Sequence, residues 1–172
     1  MRWMWIDRIV ELVPRQRLVA IKNISLAEEH LHDHFAAAGE LPAMPIMPAC
    51  FIIEGMAQTA GILVGHAEGF REKVILAKVS KAELTEDAVP GFTLRYTATM
   101  EHFDAMGAST RGVVELLDPG STAAPRQIGA IDLMFSHIDQ NMAGTQFPEH
   151  NFVFSESFRT LLRMSGVTDQ GV

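Results

Sequence analysis

One run in this chain dictates how everything else must be arranged: PACFIIEGMAQTAGILVGHAEG, residues 48–69. It holds no proline after Pro48, and its apolar side chains fall on every side of a helix rather than along one stripe. Proline suits the first turn of a helix, where its missing N–H costs nothing. Gly55, Gly61 and Gly65 each lower helix propensity by about 1 kcal/mol, but they let another element approach closely. A helix that is apolar all round is a buried helix, so the rest of the chain must wrap it. Glu54 is the exception inside the run, with no cation in the adjacent turns. A carboxylate there is costly unless it is paired or employed.

The remaining sequence supplies the wrapping. Arg17 to Leu26 alternates apolar and polar residues with β-branched content and reads as a strand. A loop-like region punctuated by Gly39, Pro42, Pro45 and Pro48 follows. After the helix, KVILAKVSKAEL, GFTLRYTATMEHF, ASTRGVVELLD and RQIGAIDLMFSHI read as long strands. Turn signals such as Val89-Pro90-Gly91 and Asp118-Pro119-Gly120-Ser121 separate them. One early strand, one buried helix and a meander of strands give an α+β fold, the helix lying against an antiparallel sheet. Residues 1–140 form this domain, and residues 141–172 a C-terminal extension. Within the extension, Ser155 to Met164 predicts a short amphipathic helix, capped by Ser155 and stopped by Gly166.

Charge and composition narrow the function classes. A net charge of −7 with no Lys/Arg cluster argues against sequence-independent nucleic-acid binding. The single cysteine, Cys50, excludes a disulfide or a multi-cysteine metal site within one chain. Its expected place is a small buried side chain at the helix start. No apolar run reaches the roughly 18 residues of a membrane span, and the opening MRWMWIDRIVEL lacks the uninterrupted apolar core of a signal peptide. The expected setting is cytoplasmic.

The chemistry concentrates in HLHDHFAAAGELPAMPIMPACFIIEGMAQ, residues 30–58. On a strand, His30, His32 and His34 would project together as a trio of metal ligands. HLHDH is one residue short of the H-x-H-x-D-H zinc motif, and no other histidine lies in a second ligand motif. No metal is expected, and His30 and His32 read as solvated loop residues. Met44, Met47 and Met56 read as flexible lining or core.

Asp33-His34-Phe35 is similar to a Gly-His-Phe motif, and residues 42–58 match P-G-x-P-x-x-P-G-V-x-x-x-E-A-M-A-Q in register from the paired prolines to Gln58. With WIDRIVEL, KNISLAEE and Val89-Pro90-Gly91, the chain resembles the bacterial 3-hydroxyacyl-(acyl-carrier-protein) dehydratases of fatty acid synthesis, FabZ type, over roughly residues 3–138. The resemblance implies a hotdog fold, a long central helix wrapped by an antiparallel sheet, in a homodimer or dimer-based oligomer. It implies removal of water from a (3R)-3-hydroxyacyl thioester, carried by acyl carrier protein or CoA, to give the trans-2-enoyl thioester, without a cofactor. His34 would be the base for the C2 proton and Glu54 the acid for the departing hydroxyl, the two coming from different subunits. Free N–H groups near Ala49 and Cys50 would meet the thioester oxygen, and Gln58, one turn after Glu54, would orient its carboxyl.

The chain departs from that pattern in three places. Residues 36–41 are inserted between Phe35 and Pro42, Ala49 stands where the family has glycine, and Ala82-Glu83-Leu84-Thr85-Glu86-Asp87 replaces a basic run. Carboxylates there repel an acidic carrier protein and shift weight toward a CoA thioester. Two alternatives follow: a hotdog acyl-CoA thioesterase, whose carboxylate would activate water without His34, and a non-catalytic acyl-binding paralogue.

Overall fold

The computed structural model describes residues 4–138, 144, 148, 151 and 153–167. Residues 1–3 and 139–140 of the expected domain and much of the expected C-terminal extension, 141–143, 145–147, 149–150, 152 and 168–172, lie outside the described residues. Six strands, β1 (Arg8–Val13), β2 (Arg17–Asn23), β3 (Val74–Leu84), β4 (Thr93–Phe103), β5 (Gly107–Leu117) and β6 (Arg126–His137), form one sheet in the order β1-β2-β4-β5-β6-β3. Every pairing is antiparallel. Helix α2 (Ala49–Ala67) lies against the sheet, α3 (Glu156–Met164) lies against β1, and the single turn α1 (Glu29–His32) buries Leu31 in the same core. This is the helix-wrapped-by-sheet layout expected of a hotdog fold.

The core is the inner face of the sheet closed over α2. Leu18, Leu94, Tyr96, Val114, Ile131 and Leu133 meet Ile52, Met56, Leu63 and Val64 in one apolar cluster. Two glycines decide how closely the layers approach. A Cβ on Gly55 would lie 2.5 Å from the Tyr96 hydroxyl and 2.9 Å from the Trp5 carbonyl oxygen, and one on Gly112 would lie 2.6 Å from Met56 sulfur. Either would force packed groups apart. By length and composition α2 could cross a membrane, which corrects the expectation that no run is long enough. Its most apolar window is 61% buried within the fold, as a core helix should be.

Two early strands stand where one was expected. The β1–β2 turn places Arg15 at φ 59° after Pro14, with Gln16 N–H donating to Val13 O. Arg15 then donates to the Ala67 carbonyl at 3.0 Å and pairs with Glu68, meeting the negative end of α2. The insertion is a small hairpin standing off the body. Ala38 and Leu41 exchange backbone hydrogen bonds around Gly39 at φ +61°, and Met44 N–H donates to Phe35 O. Phe35, Leu41 and Met44 are exposed on it, so Met44 is neither lining nor core in the single chain, unlike buried Met47 and Met56.

The tail joins the same core. Phe154, Phe158, Leu161 and Leu162 belong to the central cluster. Ser155 occupies the N-cap position of α3 but makes no side-chain cap hydrogen bond, which corrects the expected cap, and Gly166 (φ +72°) follows the helix as expected. There Gly166 N–H donates to Arg163 O and Val167 N–H to Leu162 O, the paired bonds of a glycine-terminated helix.

Candidate active site

Glu54 lies on the face of α2 that carries Ala57, Gln58 and Gly61, one and two turns on. It is half-buried, more open than the apolar run implied. Gln58 is buried and joins two elements: its Oε1 accepts from the Trp5 backbone N–H at 2.9 Å, and its Nε2 donates to Glu54 Oε1 at 3.0 Å. A backbone N–H can only donate, so the Trp5 bond fixes which end of the amide faces the carboxyl. Glu54 Oε1 is thereby held, and Oε2 is the oxygen that Gln58 does not engage.

The pair borders a cavity of about 230 Å³. Ile62, Ile75, Leu76 and Phe135 line it from α2, β3 and β6, and Val153, Phe154 and Phe158 from the tail. Glu54 and Gln58 are its only polar side chains among the described lining residues. Such a space suits a hydrocarbon chain with its reactive end at the carboxyl.

His34 follows the single turn of α1. Its Nδ1 lies 2.7 Å from the Leu31 carbonyl oxygen, which can only accept, so in the neutral ring the proton sits on Nδ1 and Nε2 carries the lone pair. That is the tautomer a general base needs. His34 does not line the cavity beside Glu54, so one chain does not bring these two residues together there.

Ala49 and Cys50 open α2 ahead of its first backbone bond, from Phe51 N–H to Pro48 O, and their own N–H groups lie among the free donors of the first turn. Ala49 has no positive φ, so the backbone there does not demand the family's glycine. Both residues are exposed, which corrects the expectation of a buried Cys50. Full burial on α2 begins at Ile52, at the end of this first turn.

The histidine trio does not form, because residues 29–32 make a helical turn and not a strand. Among the described residues no group of three or more His, Cys, Asp or Glu is placed to hold a metal ion. His32 is exposed as expected, but His30 is not a solvated loop residue. Its ring meets Trp5 and Phe51 edge-on at 5.1 and 4.9 Å, while Trp5 and Phe51 stack at 4.0 Å. Burial is the main cause holding its pKa below the ordinary value, against a smaller opposing pull from Glu28. Trp5 therefore touches Gln58 through its backbone and His30 through its ring. Sequence reasoning missed Trp5, Phe154 and Phe158. Their signal was present as aromatic residues in the opening WIDRIVEL and in the tail, to which no role at the site was given.

The acidic stretch at the end of β3 is met by cations from the strand itself and from β6. Lys81 pairs with Glu83 at 3.0 Å, and Arg126 pairs with Glu86. The partial neutralisation softens the repulsion expected of this segment, although both pairs are exposed and each contributes little.

A FabA-like domain family model matches residues 2–116. The 3-hydroxyacyl-[acyl-carrier-protein] dehydratase FabZ of Acetivibrio thermocellus is 34% identical over 137 residues, covering 79% of this chain and 85% of the relative. The enzyme of the same name from Acidiphilium cryptum is 39% identical over 99 residues, 56% of each chain. That match, like the one to the Solibacter usitatus enzyme (52% of its length), spans only about half of the relative. Among solved structures, the dehydratase heterocomplex ApeI:P from Xenorhabdus doucetiae aligns over 81% of this chain and 90% of its own, with TM-score 0.59 and 13% identity. A thioesterase family protein from Silicibacter pomeroyi aligns over 75% and 82%, with TM-score 0.58 and 13% identity. At such identities both show the fold alone. Family model, relatives and fold agree: this chain belongs to the FabA-like family, on a hotdog fold.

Proposed function

We propose that the protein removes water from (3R)-3-hydroxyacyl thioesters to give trans-2-enoyl thioesters, as a homodimer in which His34 of one copy works with Glu54 of the other. The observation that carries the reading is the Trp5–Gln58–Glu54 chain of hydrogen bonds, which holds one carboxyl at the edge of an otherwise apolar cavity. The names of the relatives support the same chemistry.

On this reading His34 Nε2 takes the C2 proton as the C2–C3 double bond forms. The C3–O bond breaks, and the hydroxyl leaves as water with the proton from Glu54 Oε2. The proton on His34 then returns to Glu54 through solvent, so the enzyme ends as it began. Negative charge gathers on the thioester oxygen during the step, and the N–H groups of Ala49 and Cys50, at the positive end of α2, are donors suited to it. The exposed apolar edge of β3, with Ile75, Leu76 and Val79 open, supports pairing with a second copy. The carrier is acyl carrier protein or CoA, and assays on both separate them.

The test is hydration of trans-2-enoyl thioesters, the reverse reaction, followed by loss of enoyl absorbance. His34→Ala and Glu54→Gln should each lower kcat by about a hundredfold or more, with fold and dimer intact. Wild-type rates in either variant would remove that residue from the mechanism. Hydrolysis of the thioester in place of hydration would make the protein a thioesterase, and a wild type silent on both carriers would make it an acyl-binding protein.

A further inference from the structure

We infer that the C-terminal segment around Phe154 is the end wall of the acyl cavity, so that the protein selects medium-length acyl chains over long ones; this rests on the acyl-thioester reading of the Glu54 site. The face of α2 that begins at Glu54 continues through Ala57, Gly61 and Gly65. The cavity follows that face as far as Gly61 and Ile62. At Gly61 it is open: a Cβ there would meet only Phe135, at an ordinary 3.6 Å. At Gly65 it is full: a Cβ there would collide with Phe154, with its Cε2 only 2.8 Å away. The Phe154 ring therefore occupies the space that a side chain at residue 65 would take.

This wall is braced. Phe154 meets Phe70 edge-on at 4.9 Å and Phe158 at 6.0 Å. Asn151 fastens the segment to the turn after α2 by donating to the carbonyls of Phe70 at 2.9 Å and Glu72 at 3.0 Å. Phe154 and Phe158, like Phe135 of β6, lie beyond the residues that the family model matches. At about 1.5 Å of rise per residue, Gly61 is about 10 Å and Gly65 about 16 Å along the helix from Glu54. An extended acyl chain whose C3 sits at Glu54 is stopped between those two points. Octenoyl fits, and octadecenoyl does not.

Two variants move the boundary in opposite directions. Phe154→Ala, with Phe154→Leu as the milder change should the first not fold, deepens the cavity; Gly61→Val, which leaves the tail untouched, shortens it. The measurements are kcat/KM for hydration of butenoyl-, octenoyl- and octadecenoyl-CoA, and, independently of turnover, the affinity for saturated acyl-CoAs of the same lengths. Wild type should favour octenoyl over octadecenoyl by at least about tenfold in both readouts. Phe154→Ala should erase that preference, and Gly61→Val should move the optimum to butenoyl. A wild type that takes octadecenoyl as well as octenoyl overturns the inference, as does a folded Phe154 variant with an unchanged profile or a failure to bind any acyl chain. A wild type that binds with the predicted cut-off but neither adds water nor loses it overturns the dehydratase reading and leaves the end wall standing.

Discussion

At one edge of the sheet, β1 is covered by the chain's own tail: α3 lies against it, and Ile9 N–H donates to the Ser165 hydroxyl at 3.0 Å. At the other edge, β3 ends the sheet with Ile75, Leu76 and Val79 each more than a third exposed, beside Met134 of β6 at 45%. The pairing of β3 with β6 slips twice, between Leu76 and Lys78 and between Val79 and Lys81, so this strand is irregular as well as uncovered. A bare apolar edge is a liability for a protein that stays single, and chains generally mask such edges. The described part of the tail, residues 153–167, reaches β1 through α3, and among the described residues no element lies beyond β3. The difference is physically consistent with an edge that a second copy covers.

The largest effect expected from breaking this asymmetry is at β3. Val79→Glu places a charge on the bare edge, and in a symmetric dimer it places two like charges together. The protein should run as a monomer by light scattering after gel filtration, and hydration activity should fall by about a hundredfold or more if, as proposed, His34 of one copy works with Glu54 of the other. A variant that stays dimeric and active would move the interface away from β3.

At the covered edge the cost is in stability. Leu162, 1% exposed, packs from α3 into the core. Leu162→Ala should destabilise the fold by about 2–5 kcal/mol, read as a lower urea midpoint, with the dimer retained. A change near zero would mean that the tail docks without contributing to folding.

The smallest effect concerns pH. His66 lies beside Ile9, Ser165 and Val167 where the tail meets β1, and burial holds its pKa below the ordinary 6.5. Above pH 6.5 the group is neutral in folded and unfolded chains and adds nothing. As pH falls below that value the unfolded chain takes up the proton first, so stability falls and continues to fall to the folded pKa. Thermal melts between pH 7 and pH 5 should show a modest loss that His66→Phe reduces. An identical slope in the variant would assign the acid sensitivity to other groups, of which His30 is the next to test.

The long regular elements were legible because their side-chain periods are. Four strands expected from alternation start and end within two residues of β3, β4, β5 and β6, and the helix expected from Pro48 is α2. β1 was missed for a local reason. Its register slips between Ile9 and Glu11, so two apolar residues, Ile9 and Val10, stand side by side and break the alternation that marks a strand. The same holds for the site. Glu54 and Gln58 are one turn apart and could be paired from spacing alone, whereas Trp5 reaches Gln58 across 53 residues. No local pattern encodes a contact of that separation.

The sequence by itself determined that a helix apolar on every side must be buried, that long antiparallel strands must bury it, and that one glutamate on it needed a reason to be there. Those follow from hydrophobic periodicity and from the cost of burying charge, which act over a few neighbouring residues. Only the tertiary structure decided that the tail folds back into the core, that Phe154 fills the space at Gly65, and that Trp5 fixes the amide that holds Glu54. It also decided which sheet edge is covered and which is left bare. These depend on where segments far apart in the chain come to rest, and that is set by how the whole core closes.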